Sequence, residues 1–192
     1  MDDSLGMSGS LKNAHLLADG SVEHLGLVGD LSKFSDDAMA GAGEIFATAL
    51  HALHLDRDGN VKGAHHLGSG LVTTAGVNLL AADWTNATAT LKLSNFADSG
   101  TGATAAAVTD TALLTATGNA RVAGTQSNPS AGVYRTVATL SYTATAAITE
   151  WGLFTALAAG PTMWDHKVFA AINVLAGDSI AFTYSLPVAA GG

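Results

Sequence analysis

The side chains best suited to binding a metal ion are histidines, of which the chain has seven. Four of them cluster in the sequence, at His51, His54, His65 and His66. Neighbouring side chains of a β-strand point to opposite faces, so His65 and His66 can contribute at most one ligand to a common site. The same geometry separates His51 from His54, which only a helix would place on one face. The pattern therefore favours polar or interface histidines over a metal site.

A second possible metal site is the acidic turn between these histidines. Asp56, Asp58 and Asn60 have the spacing that opens a calcium-binding loop. An EF-hand also requires glycine at the sixth position and a bidentate glutamate at the twelfth, where this chain has Val61 and Leu67. The sequence thus excludes an EF-hand and favours a polar hairpin turn.

Acid–base catalysis would have to involve Asp165 and His166, which are adjacent in the sequence. No candidate nucleophile accompanies them, because the chain has no cysteine and no Gly-x-Ser-x-Gly motif. Gly100 and Gly102 flank Thr101, but the lysine of a phosphate-binding loop does not follow. We therefore predict a protein that is not an enzyme, with no catalytic residue, no cofactor and no metal ligand.

The aromatic residues that could bind a partner are few. Trp84, Trp151 and Trp164 each adjoin an apolar segment, so the simplest interpretation is that they pack in the core. The alternative is that they anchor an interface, where tryptophan is enriched. A carbohydrate-binding face would use Trp164 together with Tyr134 and Tyr142.

The charge of the chain is unusual for a soluble monomer. Charged residues make up 12 % of the sequence, against about 25 % in typical globular domains, and the net charge is −8. The few lysines and arginines are scattered, which argues against binding to nucleic acid or to a membrane surface. A surface of Thr, Ser, Ala, Gly and Asn is easily desolvated, so the composition favours lasting contact with other proteins and self-association.

The second half of the chain has the alternation of β-strands. The clearest strand is 179–188, where apolar residues alternate with small or polar ones. Similar segments are separated by turns rich in Gly, Asn and Pro, and they lie at 89–95, 120–125, 133–143, 147–154 and 163–175. We expect 133–143 and 147–154 to form a hairpin or one bent strand, and a turn at 176–178 to join the last two strands in a hairpin. Residues 98–106 are expected to form a loop and 108–114 one helical turn.

These strands predict a mainly β protein, an antiparallel β-sandwich of Ig-like or jelly-roll-like type with one or two short helices. The last strand contains Pro187, which cannot donate a ladder hydrogen bond. We therefore expect the end of that strand to lie at a sheet edge or at a bulge.

The first part of the chain is more acidic and less regular. Residues 1–60 contain ten acidic and three basic side chains, whereas the rest contain six and five. We interpret 1–33 as an extended arm that a partner could order, with a locally packed subdomain as the alternative. A helix capped by Ser35 is predicted over 35–50.

A hairpin of 53–55 with 61–67 is predicted next, followed by a short helix over 73–84 with Thr73 or Thr74 as its cap. The predicted organisation is therefore an N-terminal region over 1–70, made of arm, helix and hairpin, and a β-sandwich domain over 71–192.

Three segments of the chain resemble a known family. They are GLVTTAGVNLLAADW at 70–84, SGTGATAAAVTDTALLT at 99–115, and ITEWGLF with MWDHKVFAAINVLAGDSIAFTYSL within 148–186. Together they are similar to a mostly uncharacterised family of tailed-bacteriophage virion proteins. Its recurrent elements are a GTGTTA-x-V-TDTAL stretch (here Gly100 to Leu113), a T-V-A-T strand (Thr136 to Thr139), an ITEWGLF strand (Ile148 to Phe154) and a final hairpin with GDSI-x-FTY (Phe169 to Tyr184). The resemblance covers roughly residues 57–192.

This resemblance implies a structural component of the virion, assembled in the cytoplasm of a bacterial host. The motifs imply structural positions and bring no catalytic residues. With the low charge and the arm, the resemblance favours a capsid decoration (cement) protein that binds the major capsid protein and neighbouring copies. The alternatives are a tail, baseplate or fibre protein, and a virion module that binds a receptor or glycan.

Overall fold

The structure, a computed structural model, describes residues 14–16, 22–24, 48–85, 94–155 and 162–188. The predicted arm over 1–33 lies outside these ranges except for β1 (Ala14–Leu16) and β2 (Val22–His24), which pair antiparallel. The predicted helix over 35–50 lies outside them up to residue 47. Its last two residues, Ala49 and Leu50, begin a strand instead.

The described part of the chain from residue 48 onward is a β-sandwich, which confirms the fold class predicted from the alternation. Its elements are β3 (Ala49–Leu55), β4 (Val61–Gly68), β5 (Leu71–Val72), α1 (Thr74–Asp83), β6 (Phe96–Gly100), β7 (Val122–Ala123), β8 (Thr125–Ser127), β9 (Val133–Ser141), β10 (Ala146–Phe154), β11 (Met163–Val174) and β12 (Ser179–Pro187). Sheet I has the strand order β5-β11-β10-β6-β7, and sheet II has the order β4-β3-β12-β9-β8. The strand pairings within both sheets are antiparallel.

The core between the sheets is built from the alternating apolar residues of the central strands. On β12, Phe182 and Tyr184 are buried together with the other even-numbered apolar residues of the strand. From sheet I, Trp151 stacks on Tyr184 with 5.5 Å between ring centroids. Trp151 and Trp164 are thus core residues as predicted, whereas Trp84 is 82 % exposed at the C-terminal cap of α1.

Two predicted hairpins are wrong, because their strands lie in opposite sheets. β9 belongs to sheet II and β10 to sheet I, and β11 belongs to sheet I and β12 to sheet II. The turn at 176–178 does have the expected glycine, since Gly177 has a φ of 93°. The two crossings are bonded to each other: Gly177 donates its N–H to the carbonyl of Tyr142 (2.7 Å), and Tyr142 donates to that of Asp178 (2.9 Å).

Two shorter predictions also need correction. Residues 98–100, expected in a loop, are the end of β6. Residues 120–125 contain two strands rather than one, because the chain leaves sheet I at β7 and enters sheet II at β8, with Gly124 between them. The segment predicted as a strand at 89–95 lies outside the described residues up to residue 93, and 94–95 form a turn.

The hairpin predicted from 53–55 and 61–67 is present as β3 and β4. Its turn is held by Asp56, whose carboxylate accepts the backbone N–H groups of Asp58 (2.9 Å) and Asn60 (2.8 Å). Both strands belong to sheet II, so the hairpin that the division at residue 70 assigned to the N-terminal region is part of the sandwich.

Pro187 lies at the end of β12, where the sequence predicts a sheet edge or a bulge. The strand is central in sheet II, but its pairing with β3 stops at Ser185, while the pairing with β9 continues to Pro187. Pro187 therefore lies where the strand has a neighbour on one side only, as its missing N–H requires.

The helix predicted over 73–84 is present as α1, with Thr73 as its cap. The Thr73 hydroxyl accepts the N–H of Gly76 (3.0 Å) and donates to the carbonyl of Met163 (2.6 Å), which ties the helix to β11. Gly76 packs against the backbone of Trp164, where a β-carbon would come within 2.8 Å of the carbonyl oxygen. The helix therefore docks through its glycine, and Val77, the next residue, is exposed.

We expect Gly76→Ala to lower the free energy of unfolding by about 1–3 kcal/mol, because the new methyl group meets fixed backbone. Alanine is the better helix former by about 1 kcal/mol, so helix propensity alone predicts the opposite sign. The matched control is Asn78→Ala, an exposed position of the same helix, which should be neutral or slightly stabilising. Urea denaturation of both variants checks this, and a Gly76→Ala protein as stable as the parent would contradict the docking.

Candidate functional site

The outer face of sheet I is covered by residues 101–117, which follow β6 and which we call the loop layer. This segment has no long regular element, and the helical turn predicted at 108–114 is a single hydrogen-bonded turn between Ala107 and Asp110. The layer lies close to the sheet because Gly152 of β10 leaves space for it. A β-carbon at Gly152 would approach the side chain of Leu113 to 3.0 Å.

A buried carboxylate holds the loop layer on the sheet. Glu150 of β10 is fully buried, and its Oε1 accepts the backbone N–H groups of Gly102 (2.9 Å) and Thr115 (2.7 Å). Its Oε2 accepts the N–H of Leu114 (2.9 Å). A β-carbon at Gly102 would lie 2.6 Å from Oε1, and one at Gly100 would also collide with this side chain. Both glycines are therefore required by the close approach of the loop to the carboxylate.

A histidine completes the attachment from the neighbouring strand. His166 of β11 is fully buried, with Nε2 at 3.1 Å from Oε2 of Glu150 and Nδ1 at 2.7 Å from Oδ2 of Asp110 in the loop layer. The ring is thus held between two carboxylates, one on its own sheet and one in the loop layer. We call Asp110, Glu150 and His166 the loop anchor.

The loop anchor lowers the pKa of both carboxyl groups. Burial raises the pKa of Glu150, but the N–H groups of Thr115, Leu114 and Gly102 and the contact with His166 outweigh it, so that the pKa lies below its ordinary value of 4.5. For Asp110, burial is likewise outweighed by the N–H of Ala107 and by His166, and its pKa is lowered too. Both groups therefore stabilise the fold as carboxylates.

The chemistry of the loop anchor is that of attachment. Both ring nitrogens of His166 are engaged by carboxylates of the fold, those of Asp110 and Glu150. Of the pair Asp165 and His166 that the sequence offered for acid–base work, only His166 belongs to the anchor. Sequence reasoning did not single out Asp110 or Glu150, although a lone carboxylate in the apolar strand ITEWGLF is a signal for a buried, hydrogen-bonded group.

Asp165 points to the other side of the sheet from His166, as neighbouring residues of a strand do, and a bulge in β11 turns Trp164 to that side as well. Leu153 pairs with Asp165 and Phe154 pairs with Met163, so Trp164 is an extra residue without a partner on β10. Such a bulge lets two consecutive side chains turn to the same face. Trp164 and Asp165 accordingly both reach into the core.

In the core, these two side chains meet one tyrosine of sheet II. Tyr184 donates its hydroxyl to Oδ2 of Asp165 (3.1 Å) and accepts the indole N–H of Trp164 (2.9 Å). Burial raises the pKa of Asp165 to about 7, against the lowering effect of hydrogen bonds from Tyr184 and Thr48. Asp165 is therefore a buried carboxyl group that joins the two sheets and is not accessible from the surface.

A second anchor lies at the crossing from β11 to β12. Oδ2 of Asp178 accepts from Lys62 Nζ (2.7 Å) and from the N–H of Leu175 (2.9 Å), and it lies 2.9 Å from Nε2 of His54. Burial raises the pKa of Asp178, but hydrogen bonds from Lys62, Leu175 and His54 outweigh it and bring the pKa to about 2. This carboxylate fastens the crossing to the β3–β4 hairpin.

The four clustered histidines are separated by the strands that carry them. His54 faces Asp178, whereas His51 and His66 are cross-strand partners whose rings stack at 4.7 Å between centroids. His65 pairs with Ala52, and burial, with the charge of His54, lowers its pKa. In the described ranges no group of three or more His, Asp or Glu side chains is arranged to hold a metal ion.

Comparisons with known proteins were made for the whole chain. No family model, curated protein or solved structure matches it. The resemblance to tailed-bacteriophage virion proteins, whose segments supply Gly100, Gly102, Asp110, Glu150 and His166, therefore stays a prediction. None of the helices within the described ranges is long and apolar enough to cross a membrane.

We expect Glu150→Gln to lower the free energy of unfolding at neutral pH by about 2–4 kcal/mol, because the amide NH₂ must face N–H donors. Amide hydrogen exchange at Gly102 and Thr115 should accelerate, since both lose their carboxylate acceptor. The matched control is Asp58→Asn, which neutralises an exposed carboxylate and should leave both measurements unchanged. Unaltered exchange at these two amides in Glu150→Gln would argue against the anchor.

The pH dependence of the loop anchor has a definite sign. The pKa of Glu150 is lowered in the folded state, so its contribution is fully present above pH 4.5 and is lost as the pH falls through the folded value. Denaturation curves at decreasing pH should therefore converge for the parent protein and Glu150→Gln. A gap between the two that stayed constant in acid would contradict this assignment.

Asp165 should have the opposite pH dependence. Its pKa is raised from 3.8 to about 7, so the folded state binds the extra proton and stability falls as the pH rises through that interval. We expect Asp165→Asn to remove this fall, and to be the more stable protein above pH 7, by a few kcal/mol. Denaturation across this range measures it, with Asp58→Asn following the parent profile. A parallel fall in Asp165→Asn would exclude Asp165 as its source.

Proposed function

We propose that this chain is a structural protein of a tailed-bacteriophage particle: a capsid decoration (cement) protein that binds the major capsid protein and neighbouring copies and thereby stabilises the head. The observation that carries the proposal is that several acidic side chains of the sandwich point into the fold and not into solvent. The described sandwich buries half of its acidic groups, four of eight, and its loop layer presents small, uncharged residues.

The inward charges are tied to partners inside the fold. Four of the acidic residues are buried, and these are Asp98, Glu150, Asp165 and Asp178. Arg121 lies 3.3 Å from Asp98 and places its guanidinium over the ring of Phe154, 3.7 Å from the centroid. Lys62 is likewise bound to Asp178. A chain with only 12 % charged residues therefore exposes fewer charges than its composition indicates.

A surface of this kind is suited to lasting contact with other proteins. The loop layer consists of Ala, Thr, Gly, Val and Leu apart from one aspartate, and Asp110 is turned towards His166. Burying such residues strips few ions of water, so the desolvation penalty of an interface is small. A specific interface of about 1,600 Å² on this surface would stabilise the assembled state by linkage.

The resemblance to virion proteins adds independent support. The residues that make the loop anchor and its close approach come from the same segments as the family-like motifs. Two of the motifs, at 100–113 and 148–154, thus help to hold a nearly uncharged layer on the outside of the sandwich. This is a reason for such motifs to recur in proteins that bind other proteins of the particle.

The glycan-binding alternative loses its candidate residues. Tyr142 and Trp164 are buried in the core. Tyr134 is partly buried, and its hydroxyl donates to the carbonyl of Ser94 (2.9 Å). These three rings do not form an exposed aromatic face. A tail, baseplate or fibre protein could have every structural feature described above. The experiment below distinguishes this alternative from capsid decoration.

The test is to purify particles, separate heads from tails, and locate this chain by mass spectrometry and cryo-electron microscopy. We expect it on heads, with density over the major capsid protein. Heads without the chain would overturn capsid decoration, and its presence on tails would establish the tail alternative.

We also expect deletion of residues 1–33 to abolish incorporation into particles while the sandwich stays folded. The arm would supply much of the contact with the capsid, and its loss removes that buried area. Incorporation is measured by mass spectrometry of purified particles, and folding by circular dichroism and thermal unfolding. Full occupancy by the shortened chain would refute a role for the arm.

A further inference from the structure

The exposed large apolar side chains of the described residues are concentrated in one region. Trp84, at 82 %, is the most exposed of them. Val77 is exposed on the same helix, and Val108 and Leu114 are exposed in the loop layer. We call these four residues the apolar strip. Only Leu175 and Val188 lie elsewhere, at the β11–β12 turn and after β12.

The two parts of the apolar strip adjoin each other. Thr74, in the first turn of α1, donates its backbone N–H to the carbonyl of Val108 (2.8 Å), which joins the helix to the loop layer. Val77 and Trp84 are seven residues apart, so they lie on the same side of the helix. The strip therefore continues from the loop layer along α1.

The apolar strip also has little charge around it. In the loop layer, residues 101–117, the one charged side chain is Asp110, which faces His166. In α1 it is Asp83, which helix geometry rotates by about 100° from Trp84. An apolar surface that contains an exposed tryptophan and few charges has the composition of an interface core.

We propose that the apolar strip is the contact between two copies of this chain. The chain has a net charge of −8, so two copies repel each other wherever acidic side chains face across an interface. In a two-fold interface each copy presents the same patch to the other, so a patch with few charges avoids this repulsion. A strongly basic partner would instead lose the hydration of its charges here without gaining acidic groups in return.

The loop anchor makes this surface ready for binding. Leu114 is fixed through its own N–H to Glu150, and the turn before Asp110 is fixed through His166. A segment without regular structure is thus held in place before any partner arrives. Association then loses less conformational entropy than it would with a mobile loop.

The inference extends the contact between neighbouring copies named in the proposed function, but it needs no particle. Self-association of the purified chain can be measured alone. A chain found on heads that stays monomeric in solution would leave the proposed function standing and refute the strip. A self-associating chain absent from every particle would do the reverse.

The experiment is sedimentation velocity of the full-length protein over a dilution series. We expect the parent protein to associate reversibly, and Trp84→Ala to weaken association at least about tenfold, as the loss of a large aromatic contact does. Val108→Glu should weaken it further by placing like charges across the interface. The matched control is Leu175→Glu, a substitution of an exposed leucine outside the strip, which should associate as the parent does.

A charge-reversal mixture tests that the partner is a second copy. Val108→Glu and Val108→Lys should each associate poorly alone and should associate with each other when mixed, because opposite charges then meet. Circular dichroism establishes that every variant is folded. A parent protein that remains monomeric at all soluble concentrations, or a Leu175→Glu variant that weakens association as much as Trp84→Ala, would overturn the proposal.

Discussion

The carboxylate of Glu150 is the interaction on which the outer surface of the sandwich depends. A buried carboxylate is unfavourable unless its oxygens are fully hydrogen-bonded, and here three backbone N–H groups and one imidazole supply that bonding. The N–H groups come from a segment without a long helix or strand. Without the carboxylate, these N–H groups would have to take water as their hydrogen-bond acceptor. The charge and the loop thus stabilise each other. The requirement extends to Gly100 and Gly102, since any side chain there would displace the loop.

A second carboxylate, that of Asp178, holds the connection between β11 and β12 as Glu150 holds the loop layer. Asp178 holds the crossing from β11 to β12 by accepting the N–H of Leu175 and binding Lys62 of the β3–β4 hairpin. The other crossing, from β9 to β10, is bonded to it through Tyr142. These two connections between the sheets are therefore fastened together. In both places a charge is used inside the fold instead of on its surface.

The consequence for function is that several charged groups of the described sandwich lie inside it, while the loop layer outside sheet I is nearly uncharged. Buried ionic groups contribute specificity where they hold one arrangement of loops. In the proposed function, the exterior that remains, with Trp84 and the loop layer, is the surface that contacts other proteins. The same buried groups thus account for the low surface charge and for the shape of the surface that the proposed assembly would use.

The sequence by itself determined the fold class, because a two-residue alternation depends on local geometry alone. Local signals in the sequence also located β12, the β3–β4 hairpin and the helix capped by Thr73. Only the tertiary structure decided which strands pair. Neighbours such as β9 and β10 each bury one apolar face, and this is equally compatible with a hairpin and with opposite walls of a sandwich. The loop anchor was beyond reach for the same reason. Asp110 and His166 are 56 positions apart, and only the packing of the loop on sheet I brings them within 2.7 Å.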